Sequence, residues 1–318
     1  MVLKQTKGYA NFRGIIGGIE RLKTAIEKKE NNMAYYENDK IKKITFSIKT
    51  SDDNVNYIRM MAFKNQDSAW ISKFNDKLKK SETVKIKFEE RVRPMKDGWQ
   101  LIGTKMRSKG DENTVSLVQL DAIDYLLSNF NDGDSVFVNA SKENSTYNDK
   151  NRSEYELKSL FSTKEPVDFA SEDFEEQADF AEEFVFSSIV TVDTTSFVKG
   201  YTIDYRQNVV DVDYVVEDID KEVAEYFTTQ LEFGDLVKVE GIINNRVKYI
   251  YHDAEESEGA KALSGRTTKT TKQNSGSRVK EIESENKSIQ IIGIDNVVKG
   301  AYTNEELFPD DENSDLPF

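Results

Sequence analysis

Cysteine is absent from this chain of 318 residues, histidine occurs once, and proline only four times. Without cysteine there are no disulfides, no thiolate metal sites and no thiol nucleophile. The single histidine, His252, stands between Tyr251 and Asp253 and reads as a surface residue at a strand end. One histidine and no cysteine exclude His/Cys zinc clusters and Cys–His pairs. No apolar run approaches the roughly 20 residues that span a bilayer. No Gly-x4-Gly-Lys-Ser/Thr phosphate loop occurs, so a nucleotide-driven motor is not supported. The N-terminal residues lack the apolar core of a signal peptide. These absences point to a cytoplasmic, non-membrane protein without a cofactor, in the host cytoplasm if the chain is phage-encoded. Two carboxylate pairs, Asp132/Asp134 and Asp211/Asp213, could hold Mg2+ as a nuclease does. A turn and an exposed strand explain them better, so no metal and no enzymatic activity are expected.

Charge is plentiful and unevenly spread. The net charge is −14, from 44 Lys and Arg against 58 Asp and Glu. Residues 1–110 hold 25 basic and 13 acidic residues, a net of +12, which leaves 19 and 45 for the remainder, a net of −26. A basic first third followed by an acidic remainder suits a nucleic-acid binder with an interaction tail. An acidic scaffold or DNA mimic that acts on a basic partner is the alternative, and the basic start of the chain weighs against it.

Most of the chain reads as strands. Ile44, Phe46 and Ile48 alternate with Thr45, Ser47 and Lys49, and Tyr57 to Phe63 return after a turn at Ser51 to Asn54. Asp67 can cap a short helix with Trp70, Ile71, Phe74 and Leu78 on one apolar stripe. Val84, Ile86 and Phe88 then alternate with polar residues, and residues 94–98 turn into Trp99 to Ile102, a second hairpin. Residues 121–138 and 222–239 form an internal repeat. Tyr125, Gly133, Asp134, Val136 and Val138 recur as Tyr226, Gly234, Asp235, Val237 and Val239. Each copy reads as an amphipathic helix, a Gly-Asp turn and a strand. That unit suits the helix and fourth strand of an oligonucleotide-binding (OB) barrel, and two copies imply two barrels. The expected fold is mainly β: two five-stranded Greek-key OB barrels with short helices and a disordered acidic tail. The expected first barrel covers 5–165 with an inserted hairpin at 81–107, followed by an acidic linker at 166–182. The second covers 183–298 with a basic disordered insertion at 253–287, and an acidic interaction tail occupies 299–318.

The chain ends in Asp310, Asp311, Glu312, Asn313, Ser314, Asp315, Leu316, Pro317 and Phe318. The terminal ring can enter an apolar pocket while the carboxylates meet basic residues around it. This ending resembles the C-terminal tip of bacterial and phage single-stranded DNA-binding proteins (SSBs). Together with the repeated helix–Gly-Asp–strand unit and the strand phrase Phe46, Ser47, Ile48, Lys49 and Thr50, the chain resembles a phage-type SSB with two OB folds. The resemblance implies a protein that coats single-stranded DNA during replication, recombination or repair. It also implies recruitment of replication or recombination proteins through Asp310, Asp311, Glu312, Asp315, Leu316, Pro317 and Phe318. The chain departs from the common bacterial SSB in its length, which puts tetramer formation in doubt, and in Leu316, where Ile is usual.

Single-strand binding needs cations along a groove and exposed aromatics on which bases stack. In the first barrel the phosphate candidates are Arg59, Lys85, Lys87, Arg91, Arg93, Lys96, Lys105 and Arg107, with Tyr57 and Trp99 for stacking. Alternating lysines can equally be the solvated face of a strand. Trp70 is expected in the core. In the second barrel the candidates are Tyr201, Tyr205 and Arg206, with Arg266, Lys269, Lys272, Arg278 and Lys280 in the loop between its fourth and fifth strands.

Overall fold

The computed structural model describes residues 3–147, 150–253 and 278–309, and only the backbone at 147, 150, 249–253 and 278–283. The chain begins with β1 (Gly8–Gly17), α1 (Ile19–Lys28), β2 (Tyr35–Glu37), β3 (Ile41–Lys49) and β4 (Val55–Phe63). Next come β5 (Ser68–Asn75), β6 (Lys80–Lys87), a 3-10 turn (Phe88–Val92), β7 (Gln100–Leu101), β8 (Thr104–Arg107) and β9 (Val115–Leu117). Then follow α2 (Gln119–Asn129), β10 (Ser135–Tyr147) and β11 (Lys150–Ser162). The second half contains β12 (Gln177–Val192), β13 (Thr195–Ile203), β14 (Val209–Val216), α3 (Lys221–Gln230), β15 (Leu236–Asp253) and β16 (Arg278–Val298).

Strand pairing closes two barrels of the same design. In the first, β1 pairs with β3, β3 with β4, β4 in parallel with β11, β11 with β10, and β10 with β1. In the second, β12 pairs with β13, β13 with β14, β14 in parallel with β16, β16 with β15, and β15 with β12. Five strands closed by one parallel contact between the third and the fifth make an OB barrel. The helices α2 and α3 lie between third and fourth strands, and Ala122, Ile123, Leu126 and Phe227 are buried against the barrel interiors. The interiors are filled by alternate residues, Phe46, Ile48, Ile58 and Met60 in one barrel and Phe180, Phe184, Val212 and Tyr214 in the other. Each such buried side chain contributes about 1.5–3 kcal/mol.

The sequence repeat corresponds to one hydrogen-bonded turn built twice. Gly133 donates to the Ile16 carbonyl at 3.0 Å, and the Asp134 carbonyl accepts from Ile16 N–H at 2.9 Å. Gly234 and Asp235 do the same with Phe186 at 3.0 and 2.8 Å. Both glycines have φ near +90° (96° and 89°), where a side chain is strained. Asp134 accepts from Asn131 N–H at 2.8 Å, and Asp235 from Glu232 N–H at 2.9 Å. The motif therefore fastens the start of each fourth strand to the first strand of its own barrel.

The two first strands join the barrels. The N-terminal part of β1 pairs antiparallel with β12, from Gly8 opposite Glu182 to Arg13 opposite Gln177. Its C-terminal end then bends to β3, where a Cβ on Gly14 would lie 2.1 Å from the Lys49 carbonyl oxygen. Buried charges seal this seam. Lys142 on β10 pairs with Glu182 on β12, which also accepts from Tyr214 Oη at 2.6 Å and Asn144 Nδ2 at 2.7 Å. On another side Arg246 of β15 pairs with Asp53 at 2.7 Å and with Glu176, while Asn54 Nδ2 donates to Glu176 at 2.8 Å and to the Ile243 carbonyl at 3.0 Å. The stretch expected as a linker thus carries two carboxylates of the seam, and β12 begins inside it. Its alternation of buried Ala178 and Phe180 with polar Gln177 and Asp179 is masked in the sequence by the density of acids.

The segment between β4 and α2 corrects the sequence reading. Residues 68–75 form a strand rather than a helix, and β5 lies between β6 and β7 in a separate three-stranded sheet. Residues 84–88 and 99–102 were expected to pair with each other, and instead β6 and β7 flank β5 on opposite edges. The stripe 70, 71, 74 and 78 suits a helix, but the small core under this sheet accepts only the alternate residues Ala69 and Ile71. Trp70 therefore points outward and is 48% exposed.

The expected tail also begins with packed structure. Thr303 caps a one-turn helix, Asn304–Leu307, through a reciprocal pair of hydrogen bonds with Glu306. Leu307 is buried with Val185 and Ile203, and Tyr302 and Phe308 pack beside them. The tip from Asp310 to Phe318 lies outside the described residues.

Candidate nucleic-acid interface

The outer face of the first barrel's second and third strands presents one mixed row. Lys43 stands opposite Met61, Thr45 opposite Arg59, and Ser47 opposite Tyr57. Tyr57 is 57% exposed because the period-two alternation of β4 turns Ile58 and Met60 inward. Among the described residues Lys43 has no carboxylate partner. Burial, and then the neighbouring Arg59 cation, hold its ammonium below the ordinary lysine value. Arg59 is paired with Glu154 and lies 3.4 Å from Glu143. Glu143 is itself pushed up by burial and by Glu156, against the pull of Arg59 and Lys158.

This row opens onto two grooves at the seam. One, of about 560 Å³, is lined by Tyr57, Arg152, Phe197, Asp213, Asn244 and Lys287. The other, of about 410 Å³, brings Arg59 of the first barrel beside Tyr205 and Arg206 of the second. Lys142 and Asn144 contribute to the walls of both. Tyr205 and Arg206 sit on the β13–β14 turn, which Asp204 fixes by accepting from Arg206 N–H at 2.7 Å and Asn208 N–H at 2.9 Å. The Arg206 guanidinium lies 5.1 Å from the Tyr205 ring centroid and donates to its hydroxyl at 2.7 Å. Both volumes fall in the range of small-ligand sites, roughly 300–1,000 Å³. Their charge is mixed, since Asp204, Glu143 and Glu154 line the second groove alongside its arginines.

The inserted sheet presents a third surface. Trp70, Ser72 and Phe74 on β5 stand opposite Lys85, Thr83 and Ser81 on β6, with Gln100 beside Ser72. The reverse face packs Ala69, Ile71 and Leu101 on Val118, with Trp99 half-buried against them. Arg91 anchors the insertion to α2. Its guanidinium meets Asp121 through two hydrogen bonds of 2.8 and 3.0 Å and stacks 3.8 Å from the Phe88 ring centroid.

A family model described as YorF matches residues 100–312, about two thirds of the chain. The chain belongs to the YorF family. No curated protein sequence matches it. Among solved structures, the chain is similar to the wild-type single-stranded DNA-binding protein from Thermus aquaticus, at 10% identity and a TM-score of 0.36, over 76% of this chain and 87% of that one. It is also similar to a deletion mutant of the same Thermus aquaticus protein, at 10% identity and a TM-score of 0.33, over 80% of this chain and 98% of that one.

In this YorF-family chain the expected site residues fall into distinct groups. Tyr57, Arg59, Tyr205 and Arg206 come together around the seam, though far apart in sequence. Lys85 and Lys87 share the exposed face of the insertion with Trp70. Arg93 is exposed with Glu90 at 3.5 Å, Lys96 is exposed at the tip of the insertion, and Lys105 and Arg107 share the outward face of β8, where Arg107 lies 5.5 Å from the Phe161 ring centroid. Three of the expected residues have partners within the fold. Arg91 is committed to Asp121, Trp99 to the core of the insertion, and Tyr201 to an edge-on contact with Phe308 at 5.1 Å. Arg266, Lys269, Lys272 and the tip of the tail lie outside the described residues, as do the side chains of His252, Arg278 and Lys280. The sequence reading missed Lys43, Trp70, Phe74 and Phe197. Period-two alternation in β3 and β5 is the signal that places Lys43, Trp70 and Phe74 outward. Among the described residues no cluster of three acidic or histidine side chains could hold a metal ion. Asp132 instead accepts from Ile19 N–H at 2.6 Å.

Proposed function

We propose that this chain is a non-enzymatic single-stranded DNA-binding protein. In this reading it coats single strands in phage replication, recombination or repair and recruits partner proteins through its acidic end. The carrying observation is the row of Lys43, Arg59 and Tyr57 on the β3–β4 face, the face OB barrels use for oligonucleotides. Lys43, partly desolvated beside the Arg59 cation and without a carboxylate of its own, favours an anion close to it. Tyr57 offers a ring for a base, and Tyr205 with Arg206 continues the same chemistry across the seam. Affinity comes mainly from phosphate neutralisation and falls with salt by about 0.7 in log K per log salt for each phosphate contact.

The test is the fluorescence anisotropy of a labelled oligo-dT titrated with wild type, Tyr57→Ala and Lys43→Ser. Tyr57→Ala is expected to weaken binding by about 1–3 kcal/mol without lowering the melting temperature. Lys43→Ser is expected to flatten the salt slope by about 0.7. Wild-type affinity in both variants would remove the barrel face from the binding site.

A further inference from the structure

The inserted sheet is an elaboration of the first barrel, and its outer face has a composition that its own packing does not require. On its inner face Ala69, Ile71 and Leu101 are buried against Val118, with Val84 exposed at the β6 edge. The outer face nevertheless carries Trp70 and Phe74, 48% and 55% exposed. Surface strands more often place small polar residues outward, as Ser72, Ser81 and Thr83 do here. The charges on this face have one sign. Lys85 stands opposite Trp70 and Lys87 opposite Ser68, while the nearest acid in the pairing, Glu82, faces the other way with Lys73. Neither Lys85 nor Lys87 has an ion-pair partner among the described residues. An exposed Trp70 with two unpaired cations beside it, and a second exposed ring, Phe74, further along the same strand face, is the pattern of a stacking platform with phosphate contacts at one end.

We propose that this sheet is a second binding surface for single-stranded nucleic acid, separate from the barrel face, with Trp70 and Phe74 stacking bases and Lys85 and Lys87 neutralising phosphates. The proposal rests on the single-strand-binding function proposed above and adds a site to it. Trp70 and Phe74 are four residues apart on one strand, about 13 Å at strand rise. A strand stacked on both therefore covers on the order of four nucleotides at roughly 3.4 Å each. The Arg91–Asp121 clamp holds the insertion on α2.

The experiment uses the full chain and oligo-dT of about 40 nucleotides, longer than the roughly 32 that two barrels cover at most. Trp99→Phe leaves Trp70 as the sole tryptophan, and Trp70→Phe leaves Trp99. Addition of oligo-dT is expected to quench Trp70 strongly and Trp99 weakly. Trp70→Ser with Phe74→Ser is expected to lose on the order of thirty-fold or more in affinity. Lys85→Ser with Lys87→Ser is expected to reduce the salt slope by about 1.4. All four side chains are exposed or at the rim, and an unchanged melting temperature checks that the variants fold. If wild type binds oligo-dT while Trp70 emission and the affinity of the double variants stay unchanged, the platform is overturned and the barrel-face function stands. If those variants keep their affinity but sediment as a smaller species than wild type, the face is a contact between copies and the proposal is overturned. If wild type itself fails to bind oligo-dT, both readings fall.

Discussion

Arg59 and Glu154 are paired across neighbouring strands of the first barrel, on the face that also carries Tyr57. Glu143 approaches the same guanidinium at 3.4 Å. A phosphate that reaches Arg59 must therefore displace a carboxylate. Glu154→Gln should tighten binding to oligo-dT, most at low salt, because the competitor is removed while the cation stays. Arg59→Ala should weaken it. Anisotropy titrations of both variants check this, and the same direction of change in both would place Arg59 outside the site.

Lys43 gives the binding a signature on the alkaline side. Burial and Arg59 hold its pKa below 10.5 in the free protein, and a bound phosphate raises it again. Affinity for oligo-dT should therefore be full below the lowered value and fall as pH rises through it. Lys43→Arg keeps its charge throughout, so its affinity should fall less as pH rises toward the ordinary lysine value. Parallel pH profiles for wild type and Lys43→Arg would exclude a phosphate at Lys43.

The seam between the barrels depends on a charge pair that is almost fully buried, at 0% and 2% exposure for the side chains of Lys142 and Glu182. Lys142→Met leaves the buried carboxyl of Glu182 without its partner, and should cost about 3–5 kcal/mol in urea denaturation. Lys142→Met with Glu182→Leu removes both charges and should recover much of that loss. The result separates a fixed seam from barrels that merely touch.

Asp235 ties the Gly-Asp turn of the second barrel to Lys299 at 2.9 Å and to Gly300 N–H at 2.8 Å. Burial alone would raise its pKa, but the amides of Glu232 and Gly300 and the Lys299 ammonium outweigh it and hold it below the ordinary carboxylate value. Its stabilising share is complete above that ordinary value and is lost as pH falls through the lowered one. Asp235→Asn should lower the melting temperature near neutral pH and converge with wild type in acid.

The barrels were legible because their signals are local and repeated. The Gly-Asp turns announce themselves through a φ that glycine tolerates, and the flanking valines through period two. The inserted sheet was not legible in the same way. Trp70, Ile71 and Phe74 fit a helical stripe as well as they fit a strand, and only the small core beneath Ala69 and Ile71 decides between them. That ambiguity puts Trp70 in the core, whereas β5 turns it outward. Composition cannot show that Arg91 and Tyr201, expected at the binding surface, meet Asp121 and Phe308 across the fold. The cluster of Arg59, Tyr205 and Arg206 depends on β1 pairing with β12, which no local pattern encodes.

The most direct test of the central claim is a pair of binding isotherms, for oligo-dT of about 40 nucleotides and for duplex of equal length, at low and moderate salt. The account predicts tight binding of the single strand, much weaker binding of the duplex, and a single-strand affinity that falls linearly in log K with log salt. Absence of single-strand binding at low salt would contradict it and turn attention to the acidic two thirds of the chain as a surface for a basic partner.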